Sequence, residues 1–243
     1  MSKHAFRRLV CSHCGQILDV PIYCGNRFCS VCSKVRSSKI RKKLNAIIDL
    51  QERRDGYTFK HLTLSTVSID DLAGQISFLV KSFRRLRQRA FWKGKVSGGA
   101  YVIEITGAPG KWHAHFHCII YSRYMKWDKL QKQWNSVSGG LSCFIQNIFA
   151  RRAVNYMTKY ITKTELNPEL HIQVSIALKS LRLVSLFGEW HSLQKGTLKD
   201  RPICWNCGNG KFELLNLYTK EPFHKVFYKE IDLDPERGDA VKV

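Results

Sequence analysis

The 243-residue sequence predicts an α+β layer fold with a small cysteine-rich module at its N-terminal end. Three observations lead there. Trp112 to Tyr121 alternates at period two, with Ala114, Phe116, Cys118 and Ile120 on one face and His113, His115 and His117 on the other. Asp70 to Ala90 repeats Leu72, Ile76, Leu79, Phe83, Leu86 and Ala90 at three-four spacing, which marks a long amphipathic helix. Cys11-x-x-Cys14 and Cys29-x-x-Cys32 have the separation of a zinc ribbon, in which two knuckles present four thiolates to one Zn²⁺.

Composition bounds the function. Hydrophobic residues make up 44% of the chain, with six Trp and thirteen Phe, enough for a proper core and too apolar for disorder. No apolar run is long enough to cross a bilayer, and the first residues lack a signal-peptide segment, so a cytoplasmic location is expected and no membrane partner. Nine Cys in a reducing compartment point to metal binding more than to disulfides. A formal charge of +21 favours a polyanionic partner, nucleic acid before anionic membrane, bound through phosphates and sensitive to salt. The charge is concentrated: Lys81 to Lys95 is basic throughout, and Glu230 to Asp239 is acidic.

In chain order, the cysteine module comes first, too short to build its own core and dependent on metal for its folding energy. Cys24 is a further thiol that competes for the site, so Cys11, Cys14, Cys29 and Cys32 are the expected ligands with Cys24 as alternative. Lys34 to Leu50 is basic and helical in pattern. Phe59 to Val67 alternates as a strand. The arginines of the next helix, Arg84, Arg85, Arg87 and Arg89, lie mostly off its apolar stripe and are either a solvated face or a DNA contact. Ser97-Gly98-Gly99 opens a strand from Ala100 to Thr106, and Gly107 to Gly110 turns it into the histidine strand.

Glu104 is an acid in an otherwise apolar strand, where a carboxylate must be paired or bind a metal. A hairpin brings it near His115 and His117. Alternating histidines can simply face water, but several imidazoles aimed at one point suit a metal or phosphate site. After a helix around Trp127 to Trp134 and a strand from Leu141 to Ile145, Ala153 to Lys163 reads as a helix. Tyr156 and Tyr160 lie one turn apart on it, with Lys159 and Lys163 close to the same stripe. Phenols as nucleophiles and lysines as charge clamps suit phosphate chemistry, although an ordinary amphipathic helix carries Tyr at its border too. Leu166 to Leu198 is expected to be helical, with an apolar run from Leu178 to Phe187. Cys204-x-x-Cys207 is half of a possible second zinc knuckle, with Cys24 and His191 as weak partners, while Cys118 and Cys143 read as buried core thiols.

These pieces together resemble the HUH endonucleases, and among them the rolling-circle replication initiators (Rep) of small plasmids and phages. Three motifs in order carry the likeness: His61-Leu62-Thr63-Leu64-Ser65, then His115-Phe116-His117, then Tyr156-x-x-Lys159-Tyr160-x-x-Lys163. The finger from Cys24 to Cys32 also resembles the one preceding the first motif in such initiators and related transposases. The resemblance implies a palm-like (RRM-like) antiparallel sheet of about five strands with flanking helices. It divides the chain into residues 1–50 (finger and basic helix), 51–200 (HUH domain) and 201–243 (extension with the Cys204/Cys207 knuckle and acidic tail). It further implies that His115, His117 and Glu104 hold Mg²⁺ or Mn²⁺, and that Thr63 and the arginines meet DNA. Tyr160, with Tyr156, would form a 5′-phosphotyrosine on a single-stranded origin hairpin, aided by Lys159 and Lys163. Where single-tyrosine relatives carry Glu, this chain has Tyr156, so it resembles the two-tyrosine class. No Walker motif is present, so a separate helicase and a replication polymerase are the implied partners.

Three rivals stand beside that reading. His113 to Ile120 also fits the histidine-triad nucleotide hydrolases, which need no metal. A zinc-ribbon DNA-binding regulator explains charge and cysteines but leaves Glu104, the histidines and the tyrosines without a task. A two-tyrosine transposase shares the chemistry and differs in biology.

Overall fold

The structure, a computed structural model, describes residues 6–24, 26–67, 70–139, 142–162, 168–179, 181–194 and 203–215. It forms two compact units, residues 1–26 with 198–243, and residues 27–197. Along the chain run β1 (Phe6–Cys11), β2 (Ile17–Pro21), α1 (Ser30–Leu50), β3 (Thr58–Ser65), α2 (Leu72–Gln88), α3 (Ala90–Lys93), β4 (Val96–Thr106) and β5 (His113–Ser122). There follow α4 (Trp127–Ser138), β6 (Cys143–Asn147), α5 (Ala150–Thr162), α6 (His171–Ala177), β7 (Val184–Gly188), α7 (Glu189–Leu193) and β8 (Phe212–Leu214).

In the first unit β2, β1 and β8 form a three-stranded antiparallel sheet. In the second, five strands pair antiparallel in the order β6-β3-β5-β4-β7, which puts the histidine strand at the centre. Its neighbours are in register on both sides: Thr63 and Val102 oppose His117, and Ser65 and Glu104 oppose His115. Residues directly opposite share a face, so Glu104, Thr63, His115 and His117 all project to one side of the sheet.

Both faces are covered. Leu62, Leu64, Ala114, Phe116, Cys118 and Ile120 bury one face against α2, α4 and α6, through Leu79, Phe83, Leu86, Leu130, Trp134 and Val174. Ala100, Val102, Ile119 and Tyr121 bury the other against α1 and α5, through Ile40, Leu44, Ile47, Ala153, Val154 and Met157. The local signals agree with this packing. Asp71 caps α2 by accepting from the N–H groups of Ala73 and Gly74, and Gly139 ends α4 in the left-handed conformation. Along the histidine face, exposure rises from Ile119 and His117, both buried, through His115 to the exposed His113. Cys118 and Cys143 are buried, and burial raises both thiols, Cys143 to about 12.

Three expectations need correction. Residues 166–198 are not one helical stretch: among the described residues they give α6, the edge strand β7 and α7. Val184 pairs with Val102 and Phe187 with Gly99, so an apolar run that reads equally well as helix is drawn into the open edge of β4. The basic helix α1 belongs with the large sheet rather than with the cysteine module, because Ile40, Leu44 and Ile47 are core residues there. The Cys204/Cys207 knuckle belongs to the N-terminal module rather than to a separate extension, because β8 pairs with β1. The acidic stretch 230–239 lies outside the described residues. No helix among the described residues is long and apolar enough to cross a membrane.

Candidate functional site

The hairpin of β4 and β5 assembles three groups of metal-ligating type. The imidazole Nε2 of His115 lies 2.5 Å from Oε2 of Glu104, and Nε2 of His117 lies 2.8 Å from the same oxygen. One ligand atom from each of the three residues lies within 4.8 Å of the others. Burial alone would raise the Glu104 carboxyl, but the two histidine hydrogen bonds outweigh it and bring it down to about 2. Two imidazoles and an ionised carboxylate are a donor set for a first-row divalent cation or Mg²⁺, and three protein ligands leave coordination positions open. His113, on the same face, stays outside this group.

Behind the cluster lies a histidine whose place in the first motif was visible but whose part was not. His61 on β3 is buried, and its Nε2 lies 3.3 Å from Nδ1 of His117, with the two rings stacked at 5.5 Å. Oγ1 of Thr63 lies 3.4 Å from the same nitrogen, so Thr63 supports His117 here. When His117 gives its Nε2–H to Glu104, its Nδ1 is an acceptor and His61 Nε2–H is the donor that faces it. Burial, and then the charge of His117, depresses His61 to about 4.

The tyrosine helix crosses this same face. Ala153, Val154 and Met157 of α5 are buried beneath it, and the backbone carbonyl of buried Thr158 accepts from Ser37 on α1. That leaves Tyr156 at the border, its ring edge-on to His61 at 4.6 Å and to His117 at 6.1 Å. Lys159 is exposed one turn on. Tyr160 lies on α5, and Lys163 falls outside the described residues. One exposed aromatic that sequence reading passed over stands beside the cluster: Phe144, opposite Thr63 and 6.3 Å from His61.

The arginines of α2 lie on the opposite side of the sheet. Arg84 and Arg85 are exposed. Arg87 is half-buried over the rings of Phe83 and Phe187, and Arg89 donates to Gln133 and Ser136 of α4. The last two therefore serve packing.

The cysteines regroup as well. Cys11 and Cys14 converge with Cys204 and Cys207, not with Cys29 and Cys32. Cys29 instead caps α1, its sulfur accepting from the Cys32 N–H. Cys24 is exposed in the first unit, and His191 sits on α7 in the second. Knuckles some 190 residues apart in sequence leave no local signal of their pairing, and β8 was the missing link.

The family model described as "Replication protein" matches residues 16–138. That span holds Glu104, His115 and His117 and stops short of α5 and of Cys204. A "Protein rep" from Bacillus sp is 32% identical over 122 residues, 47% of this chain and 40% of its own length. A "Protein rep" from Bacillus amyloliquefaciens is 30% identical over 125 residues, 46% of this chain and 37% of its own length. One from Streptococcus pneumoniae serotype 2 is 31% identical over 103 residues, 40% of this chain and 32% of its own length. The chain thus spans well under half the length of these relatives. No solved structure matches it.

Proposed function

Since the chain belongs to the replication-protein family, we propose that it is a metal-dependent endonuclease and strand transferase of the HUH type. It nicks and rejoins single-stranded DNA at an origin hairpin and so initiates rolling-circle replication. The observation that carries this reading is the position of Tyr156, on a helix packed across the sheet face that bears Glu104, His115 and His117.

Glu104, His115 and His117 are the residues that hold Mg²⁺ or Mn²⁺. Bound there, the cation supplies Lewis-acid polarisation of a phosphate oxygen. A tyrosine Oη of α5 then forms a bond to phosphorus while the bond from phosphorus to the 3′ oxygen breaks. The phenol's proton passes to water, and the departing 3′ oxygen takes one up. The products are a 5′-phosphotyrosine and a 3′-OH that primes synthesis. A free phenol loses its proton only near pH 10, so Lys159 and Lys163 assist by their charge, and the rest is alignment. Tyr156 and Tyr160 alternate as nucleophiles, the second closing the circle. Phe144 offers a base a stacking surface beside the site, and the excess of +21 draws the DNA in. A helicase and a replication polymerase are separate proteins in this scheme.

The test is incubation with labelled single-stranded hairpin DNA and Mn²⁺, followed by a denaturing gel. A protein–DNA adduct that EDTA and His115→Ala abolish supports the reading. DNA binding with no cleavage in Mn²⁺ supports a non-enzymatic regulator instead.

A further inference from the structure

The cysteine module carries the stronger unassigned site. Each of its two Cys-x-x-Cys segments closes in the same way. Gly15 N–H donates to the Cys11 carbonyl at 2.9 Å, and Gly208 N–H to the Cys204 carbonyl at 2.8 Å. Cys11 N–H reaches the Gln16 carbonyl at 2.9 Å, and Cys204 N–H the Asn209 carbonyl at 2.7 Å. The glycine after each second cysteine has a left-handed φ, +72° at Gly15 and +71° at Gly208, which a side chain would strain. Two loops remote in sequence are thus built alike and face one another.

Their sulfurs meet across the gap. Cys11 Sγ lies 3.6 Å from Cys207 Sγ, Cys14 Sγ lies 3.6 Å from Cys204 Sγ, and all four fall within 4.8 Å of one another. A Zn–S bond of about 2.3 Å sets tetrahedral sulfurs about 3.8 Å apart, whereas a disulfide needs about 2.05 Å. The separation is that of four thiolates around one ion. We propose that Cys11, Cys14, Cys204 and Cys207 bind one structural Zn²⁺ that clamps β1 and β8 together and closes the first unit.

Physical need supports it. Among the described residues the unit's sheet has three strands, and β8 contributes three residues, Phe212–Leu214, none of them fully buried. Metal binding supplies folding energy to modules of this kind.

The experiment counts zinc in the full chain by elemental analysis. Cys204→Ser/Cys207→Ser loses one ion per chain relative to wild type, and adding Cys11→Ser/Cys14→Ser to it loses nothing more. If the first variant keeps its full zinc, or the second pair removes a further ion, the shared site is wrong. Differential alkylation of the wild-type protein covers the case in which the variants fail to fold. Zinc should protect the exposed Cys14 and Cys207 together, and a chelator should release them together. Alkylation of Cys207 in the zinc-loaded protein while Cys14 stays protected overturns the proposal, as does no protection of either.

Discussion

The ring of Tyr156 stands edge-on to the imidazole of His61, 4.6 Å between centroids at 77°, and His61 in turn faces Nδ1 of His117. The phenol-bearing helix and the histidine strand are therefore joined through a buried third residue. Tyr156→Phe keeps this ring contact and removes only the hydroxyl. Stability should change by less than about 0.5 kcal/mol, while rejoining of two DNA strands falls at least about 10³-fold, the scale of a lost nucleophile. Chemical denaturation and a strand-transfer assay measure the two effects. Equal loss of both would make Tyr156 a packing residue.

Glu104 is held ionised, at about 2, by the two imidazoles it touches. Glu104→Gln preserves its size and removes its charge. Loss of a supporting residue around a metal costs roughly 10–100-fold in affinity, and loss of a ligand should cost more. A Mn²⁺ titration followed by electron paramagnetic resonance reads this without DNA, and unchanged affinity would remove Glu104 from the ligand set.

His61 gives a pH dependence. Its folded value, about 4, lies below its ordinary 6.5, so between those values the unfolded chain binds a proton that the folded chain refuses. This residue's contribution is fully present above about pH 6.5 and is lost as the pH falls towards 4. Denaturant midpoints in EDTA at pH 7 and pH 4.5 should therefore diverge more for wild type than for His61→Phe. His117 and Glu104 are present in both proteins, so the comparison removes His61 together with its interaction with His117. Identical pH profiles would contradict the buried neutral histidine.

Much of this site was legible because it is built from local pattern and simple pairing. Alternation in β5 set His115 and His117 on one face, and a short turn made Glu104 their cross-strand neighbour, as antiparallel register requires. The amphipathic repeat of α2 likewise named the residues that bury it. What escaped depends on contacts between distant segments. His61 looks like any polar residue in a strand until β3 is laid beside β5. Val184–Gly188 becomes a strand only because β4 has an open edge, and Cys14 finds Cys204 only once β8 pairs with β1.

Gln75 shows how the opposite layer positions the histidine strand. It is fully buried on α2, where Nε2 donates to the carbonyls of Val67 and Trp112 and Oε1 accepts from the Ala114 N–H. His113 is thus bracketed by two anchored residues. Gln75→Leu fits the space and leaves these backbone groups unpaired, at about 1–3 kcal/mol each. Hydrogen exchange at the Ala114 amide should rise strongly in the variant. Retained protection would deny the anchor.

Arg87 tests the arginine stripe. Its guanidinium lies 5.1 Å from the Phe83 ring and 5.2 Å from that of Phe187, inside an aromatic cluster with Tyr101 and Phe116. Phe83→Ala should cost about 3–5 kcal/mol, and Arg87→Ala should lower stability as well. Arg84→Ala/Arg85→Ala should leave stability within about 0.5 kcal/mol. Thermal melts separate the two classes, and a stable Arg87→Ala would return that residue to the solvated face.

The most direct test of the central claim is to locate the nucleotide on the protein. After reaction with single-stranded hairpin DNA and Mn²⁺, then nuclease trimming, trypsin separates the candidates, because Lys159 lies between Tyr156 in 153–159 and Tyr160 in 160–163. Mass spectrometry should find phosphonucleotide on one or both of these peptides, and on neither in the Tyr156→Phe/Tyr160→Phe or His115→Ala proteins. Nucleotide on a histidine peptide of 113–117, formed equally in EDTA, would contradict the account and support a histidine-triad hydrolase.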